Sequence, residues 1–243
     1  MSNSAIPTEM AGADPLVSAY VLHSRRYRDS SLLLELLTRE RGRLACIARG
    51  VLRAKRPDTF LQPFQALQVG LRGRGDVLTL TTAEAAGLPL SLSGRHLYCG
   101  FYLNELLQNL TARQDPAPAL FDDYVEALGN LLRADDVEPV LRRFEVDLLM
   151  RLGIGLSLTH DAAGDPIDPG QRYGYDVPVG AVPAVSGMAE TVSGSTLLGL
   201  HDNSLDGDGA RREARLLMRR VLNYHLDGRP LKSRELFGTG RSS

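Results

Sequence analysis

Apolar and polar positions along the chain follow two rhythms. From Ala19 to about Glu84 the apolar residues come in short runs. Ala19-Tyr20-Val21-Leu22-His23 is the first, and Ser31 to Thr38 is the second, closed by Arg41-Gly42. Arg43 to Arg49 follows directly, so a single glycine separates two runs, as in a β-hairpin. By composition alone the second run is also compatible with a short helix; its tight turn and strand-like neighbour favour a strand. Phe64 to Leu71 and Val77 to Thr82 form another pair around the glycine-rich turn Arg72-Gly73-Arg74-Gly75-Asp76. Five short strands in about 65 residues, with one long basic connection over 50–60, predict a small barrel of the OB type.

The rhythm changes near Leu92. Cys99, Tyr102, Leu103, Leu106, Leu107 and Leu110 recur at three- and four-residue steps, an amphipathic helical stripe. Phe121, Tyr124, Val125, Leu128 and Leu132 repeat it, and Leu141, Phe144, Leu148, Leu149 and Leu152 do so a third time, with Pro139 suited to a first turn. A last helix is expected from about Asp208 to Leu226, with Ala214, Leu217, Met218, Val221 and His225 on its buried side and Gly228 and Pro230 as stops. Residues 153–208 are rich in Gly, Pro and Asp and read as loops with short strands or helical turns. The expected fold class is therefore α+β. A flexible 1–15 precedes an OB-fold over 16–88. A mainly α-helical domain over 89–237 follows, with an irregular 153–208 insertion, and 238–243 form a flexible tail.

Charge sharpens this division. The chain carries 28 Lys+Arg against 29 Asp+Glu, yet residues 20–80 hold twelve basic and five acidic residues, a local balance of +7. A basic β-module joined to an acidic remainder points to a polyanion-binding face. No run of roughly 18 apolar residues occurs, so no transmembrane helix is expected. Met1 to Pro15 lacks the apolar core of a signal peptide. The two cysteines, Cys46 and Cys99, both lie within apolar patterns and are expected to be buried free thiols in a reducing cytoplasm.

The densest basic cluster is Arg49-Gly50-Val51-Leu52-Arg53-Ala54-Lys55-Arg56-Pro57, suited to a loop that follows a phosphate backbone. Such a loop alone can equally be a solvated loop with no ligand. Arg25, Arg26, Arg28, Arg43, Arg72 and Arg74 in the same module tip the reading toward DNA. The candidate DNA-binding residues are thus Arg25, Arg26, Arg43, Arg49, Arg53, Lys55, Arg56, Arg72 and Arg74. Tyr20, Tyr27, Phe60 and Phe64 are the few aromatics available for base stacking. Tyr27 is the best placed, although a half-buried edge residue fits it equally well. Contacts mainly to phosphate are expected. No catalytic constellation stands out, and no metal site is expected. His160, Asp161, Asp165 and Asp168 could hold a cation, but loop aspartates beside Gly and Pro are more often turn formers. Gly73-Arg74-Gly75 lacks the helix of a nucleotide site, so ATP use is not expected. Arg142, in Leu141-Arg142-Arg143-Phe144-Glu145, sits beside a buried stripe. It can face a partner's carboxylate, or be an ordinary surface arginine paired with Glu138 or Glu145.

Several motifs occur in the order and spacing of one family. They are Val21-Leu22-His23-Ser24-Arg25, Gly42-Arg43, Arg49-Gly50, Leu61-Gln62-Pro63-Phe64, Tyr102-Leu103-Asn104-Glu105-Leu106-Leu107, Leu141-Arg142-Arg143-Phe144-Glu145 and Pro230-Leu231-Lys232-Ser233-Arg234-Glu235-Leu236. From about 17 to 237 the chain resembles the RecO recombination-repair family, of the proteobacterial type. The resemblance implies an OB-fold followed by a helical domain. It implies a recombination mediator, not an enzyme, that binds single- and double-stranded DNA and anneals complementary strands. With RecR it would help load RecA onto DNA coated by the single-stranded-DNA-binding protein. It also implies that the coat protein's acidic, Phe-ending tail docks on the helical domain at Arg142, with Arg143 beside it. A cytoplasmic, nucleoid-associated location follows from that role. Many relatives carry two CxxC pairs after the third helix; here Gly153 to Gly187 holds no cysteine, so no structural zinc and no cofactor are expected. Two rival classes are a metal-dependent nuclease using the 161–176 loop and a scaffold that bridges protein partners with little DNA binding of its own.

Overall fold

The computed structural model describes residues 15–52 and 60–239. Five strands, β1 (Val17–Tyr27), β2 (Ser31–Thr38), β3 (Gly42–Ala48), β4 (Ala66–Arg72) and β5 (Val77–Ala85), close into a barrel in the order β1-β2-β3-β5-β4. All neighbours are antiparallel except β3 and β5. This is the OB arrangement expected from the short runs. Side chains alternate as the pleat requires: Val17, Ala19, Val21, Leu34, Leu36, Leu44, Cys46, Leu67, Val69 and Leu78 fill the barrel interior. The β2–β3 turn depends on Gly42, whose φ of 66° suits glycine. A Cβ there would also lie 1.9 Å from the carbonyl oxygen of Asp115. Thr38 locks the turn by donating to the Gly42 carbonyl at 2.8 Å and accepting the Arg41 N–H at 3.2 Å.

β1 is longer than the run that announced it, because Arg25 and Arg26 belong to the strand. Its pairing with β2 slips by one residue between Val21 and His23, leaving Leu22 as an extra residue. Val21 faces the barrel interior, whereas Leu22 joins the second core. The Leu22 carbonyl accepts from Asn104 Nδ2 at 3.0 Å and from Gln108 Nε2 at 3.4 Å.

Those two residues belong to α1 (Gly94–Leu110), which is followed by α2 (Pro118–Arg133) and α3 (Glu138–Arg151). The stripes on α1 and α3 are buried much as their spacing predicts. On α2, Val125 and Leu132 are exposed, and Leu120, Ala127 and Leu131 are buried instead. The small Ala127 shifts the packed side, a residue too weakly apolar to mark a stripe. Tyr20, Leu22, Leu37 and Phe64 from the outside of the barrel join this helical core. The Tyr20 ring stands edge-on to Tyr124 at 5.5 Å, and Phe64 meets Phe101 at 5.2 Å. Tyr20 and Phe64 are therefore junction residues and unavailable for stacking on bases.

The irregular 153–208 region is more ordered than its composition announces. It holds a three-stranded sheet, β6 (Arg172–Asp176), β7 (Gly180–Pro183) and β8 (Val192–Ser193) in the order β7-β6-β8, and a nine-residue helix α4 (Gly194–Asp202). The last long helix, α5 (Gly207–His225), matches its predicted span, and a short α6 (Ser233–Thr239) follows that the pattern did not announce. Cys46 and Cys99 are buried and free. No helix among the described residues is long and apolar enough to cross a membrane.

Candidate nucleic-acid interface and partner groove

Strand register places the barrel's arginines. Arg25 pairs with Leu33, Leu33 with Ile47, Ile47 with Thr79 and Thr79 with Arg72. Directly paired residues share a face, so these five form one outward row across β1, β2, β3, β5 and β4. The row spans four strand spacings, about 19 Å along the surface. An exposed arginine stands at each end, with half-buried Leu33, Ile47 and Thr79 between them. Arg26 is exposed near the end of β1, Arg74 is exposed at the β4–β5 hairpin tip, and Arg49 is exposed where the long connection leaves β3. Arg53, Lys55 and Arg56 lie outside the described residues. Tyr27 is a half-buried edge residue with the Arg28 guanidinium 5.2 Å above its ring.

Arg43 faces away from this row. It is turned to the junction, donating to Thr111 Oγ1 at 3.0 Å, to the Thr111 carbonyl at 2.7 Å and to Glu35 at 3.1 Å. Arg113 reaches the same Glu35 from the far side. Three of its five N–H donors are thereby committed within the protein, so its role is to join the barrel to the end of α1. Arg39 is likewise held, bidentate on Asp122 of α2 at 2.9 and 3.0 Å.

The helical domain carries a groove of about 740 Å³. α1 contributes Arg95, Tyr98 and Tyr102; α3 contributes Glu138, Leu141, Arg142 and Glu145; α5 contributes Arg215, Leu216 and Arg219; α6 contributes Arg234 and Leu236. Five arginines against two glutamates make the walls cationic around an apolar centre. Arg142 is buried and not a surface residue. Its Nη2 donates to Glu145 Oε1 at 2.6 Å, and Tyr102 donates its hydroxyl to the same oxygen at 2.7 Å. Arg142 Nε and Glu145 Oε2 have no hydrogen-bond partner among the described residues. Burial pushes the Glu145 carboxyl above its usual range, opposed by Arg142 and the Tyr102 hydroxyl. Arg142 lines this cationic, apolar groove with its side chain 8% exposed, so its charge suits an incoming carboxylate. Arg143 lies off the groove and pairs with Asp147 at 2.7 Å. Arg95, Tyr98, Arg215, Arg219 and Arg234 were not legible as site residues. The available signal was the four-residue spacing of Arg211, Arg215 and Arg219 along α5, which marks one helix face.

The acidic loop is turn chemistry. Asp161 Oδ1 accepts the N–H groups of Ala163 and Asp165, each at 2.9 Å, and Asp168 Oδ1 accepts that of Gly170 at 2.8 Å. Among the described residues no three His, Cys, Asp or Glu side chains come together to hold a metal, and the donor set after α3 does not fit a structural zinc. Hydrogen bonds tie this region instead. Glu213 of α5 accepts from the Ser193 N–H at 2.9 Å, the Ser193 hydroxyl at 2.8 Å, the Thr196 hydroxyl at 3.0 Å and Arg172 at 2.8 Å. Burial raises the Glu213 carboxyl, but these donors outweigh it and hold the group at about 2.

The comparisons cover both halves of the molecule. The family model "Recombination protein O N terminal" matches residues 16–88, and "Recombination protein O C terminal" matches residues 92–235. The DNA repair protein RecO of Methylococcus capsulatus is 47% identical over 221 residues, 90% of this chain and 91% of the relative. That of Halorhodospira halophila is 46% identical, over 90% of this chain and 94% of the relative. With a basic barrel, an arginine-walled groove and two matched halves, this chain belongs to the RecO family of DNA repair proteins.

Proposed function

We propose that this chain is a recombination mediator that works by binding and not by bond chemistry. The barrel row from Arg25 to Arg72, with Arg26, Arg49 and Arg74 beside it, holds single- and double-stranded DNA by its phosphates. The sequence adds Arg53, Lys55 and Arg56, which lie outside the described residues, as further phosphate-binding cations. Screening the repulsion between two strands while leaving their bases free promotes annealing. Together with RecR, the protein loads RecA onto DNA coated by the single-stranded-DNA-binding protein, in the cytoplasm at the nucleoid. The groove on α1, α3 and α5 takes the coat protein's acidic, Phe-ending tail: its terminal carboxylate meets Arg142 and its ring the apolar centre.

The observation that supports this most is the pairing of two separate cationic surfaces on one chain. One is an open row across a barrel; the other is a recessed groove with an apolar floor. A mediator needs both, one for the strand and one for the protein that coats it. The test is strand annealing on DNA coated with the cognate binding protein, with and without its acidic tail. Annealing that depends on the tail is expected. No mobility shift of naked DNA at low salt would replace this reading with that of a protein-bridging scaffold.

A further inference from the structure

The segment Pro230-Leu231-Lys232-Ser233-Arg234-Glu235-Leu236 has so far no role beyond supplying Arg234 and Leu236 to one wall of the groove. How that wall is held is specific. Glu105, on α1, accepts the N–H groups of Lys232 and Ser233, each at 2.8 Å, and the Ser233 hydroxyl at 2.5 Å. One carboxylate thus satisfies the otherwise unpaired donors at the start of α6. Three charge-assisted bonds into a partly buried site fix the backbone immediately before Arg234. Ser233 is 5% exposed and Leu231 3% exposed, so the segment enters the core on one side of this clamp. On the other side, Arg234 donates to Asn223 of α5 at 2.6 Å and lines the same groove as Arg142 and the two groups that hold it, Glu145 and Tyr102.

We propose that Glu105 is a positioning residue for the groove: by clamping residues 232 and 233 it sets Arg234 opposite the Arg142–Glu145 pair, and so sets how tightly an acidic, apolar-ended peptide is held. This rests on the reading of the groove as a peptide site. Glu105 itself is no part of the groove wall. Its effect runs through α6, and it predicts a coupling that simple loss of stability would not produce. A wall released from its clamp no longer presents Arg234, so Arg234 should matter only while Glu105 is present.

The experiment is fluorescence anisotropy of a labelled peptide, Asp-Asp-Asp-Gly-Phe with a free carboxyl terminus, titrated with the full chain. Glu105→Ala should weaken binding on the order of tenfold, the loss of a charge-assisted clamp. Glu105→Gln, which retains an acceptor, should recover part of it. Arg234→Ala should weaken binding in the parent and have little further effect in the Glu105→Ala background. Affinity for single-stranded DNA should stay within twofold in all four variants, which also reports that the barrel is folded. Ser233→Ala gives a milder release of the clamp if Glu105→Ala does not fold, and the same coupling to Arg234 is expected. Unchanged peptide affinity in Glu105→Ala, or additive losses with Arg234→Ala, would overturn the proposal. Failure of the parent chain to bind the peptide would overturn the groove reading and this inference with it.

Discussion

At the residue scale the central group is Arg142, because its internal partner limits what its removal can mean. Glu145 is fully buried, and Arg142 and the Tyr102 hydroxyl are its hydrogen-bond partners. Arg142→Ala should therefore do two things: weaken the acidic tail peptide, and cost about 3 kcal/mol of stability by leaving a buried carboxylate without its cation. The double variant Arg142→Ala, Glu145→Gln should recover most of that stability in urea unfolding while peptide binding stays weak. Recovery of both together would mean that Arg142 acts only through the fold. The sequence pointed to Arg142 through its place beside a stripe. Its burial was not legible, because a residue flanking a stripe becomes interior only when other elements, here α5 and α6, cover it. Arg43 shows the converse. Its composition matched the other barrel arginines, but the Thr111 carbonyl and hydroxyl that claim it are 68 residues away.

At the scale of elements, the barrel makes a quantitative claim about DNA. Neutralising Arg25, Arg72 and Arg74 together should reduce the magnitude of the log–log salt slope for single-stranded DNA by about 2, at roughly 0.7 for each phosphate that is no longer neutralised. Arg43→Ala should leave the slope unchanged and lower the unfolding midpoint. An equal slope change in both variants would move the interface toward the junction. The small sheet offers a second test. Glu213 sits at about 2 in the folded protein, below the value near 4.3 of an unfolded glutamate. Its contribution is present in full above the unfolded value and is lost as pH falls through the folded one. The stability gap between the parent and Glu213→Gln should be widest at pH 7, narrow below about pH 5 and close near pH 2, read by urea unfolding across that range. The barrel strands and the long helices could be read from periodicity because each carries several apolar residues per turn or pleat. β8 has two residues, and β6 owes its place to Tyr173, Tyr175 and a bond from Arg172 to Glu213, so the short strands expected in 153–208 carried no local mark of where they lie or how they pair.

At the scale of the whole molecule, barrel and helices share one apolar core. Tyr20, Leu22, Leu37 and Phe64 stand on the barrel's outer surface yet belong to the helical core. Gly100 of α1 lets the Phe64 ring approach, since a Cβ there would lie 2.8 Å from it. Thermal unfolding followed by far-ultraviolet circular dichroism and by tyrosine fluorescence should give coincident transitions. Residues 16–88 expressed alone should expose those four side chains and lose a fixed tertiary signal. Two separated transitions would show that the junction is a mere contact between independent domains.

The extra residue in β1 carries a consequence for how the chain avoids error. If β1 paired with β2 without the slip at Leu22, His23 would stand opposite Leu34 and face the barrel interior. Burying an unpaired imidazole there would cost about 2 kcal/mol or more. The competing register is thus rejected by the same histidine that is exposed in the native one. A deletion of Leu22 would keep the arginines in phase but remove the carbonyl that Asn104 and Gln108 grip. One backbone irregularity therefore serves as a checksum on strand alignment and as the hook by which a correctly aligned barrel is recognised by its helices.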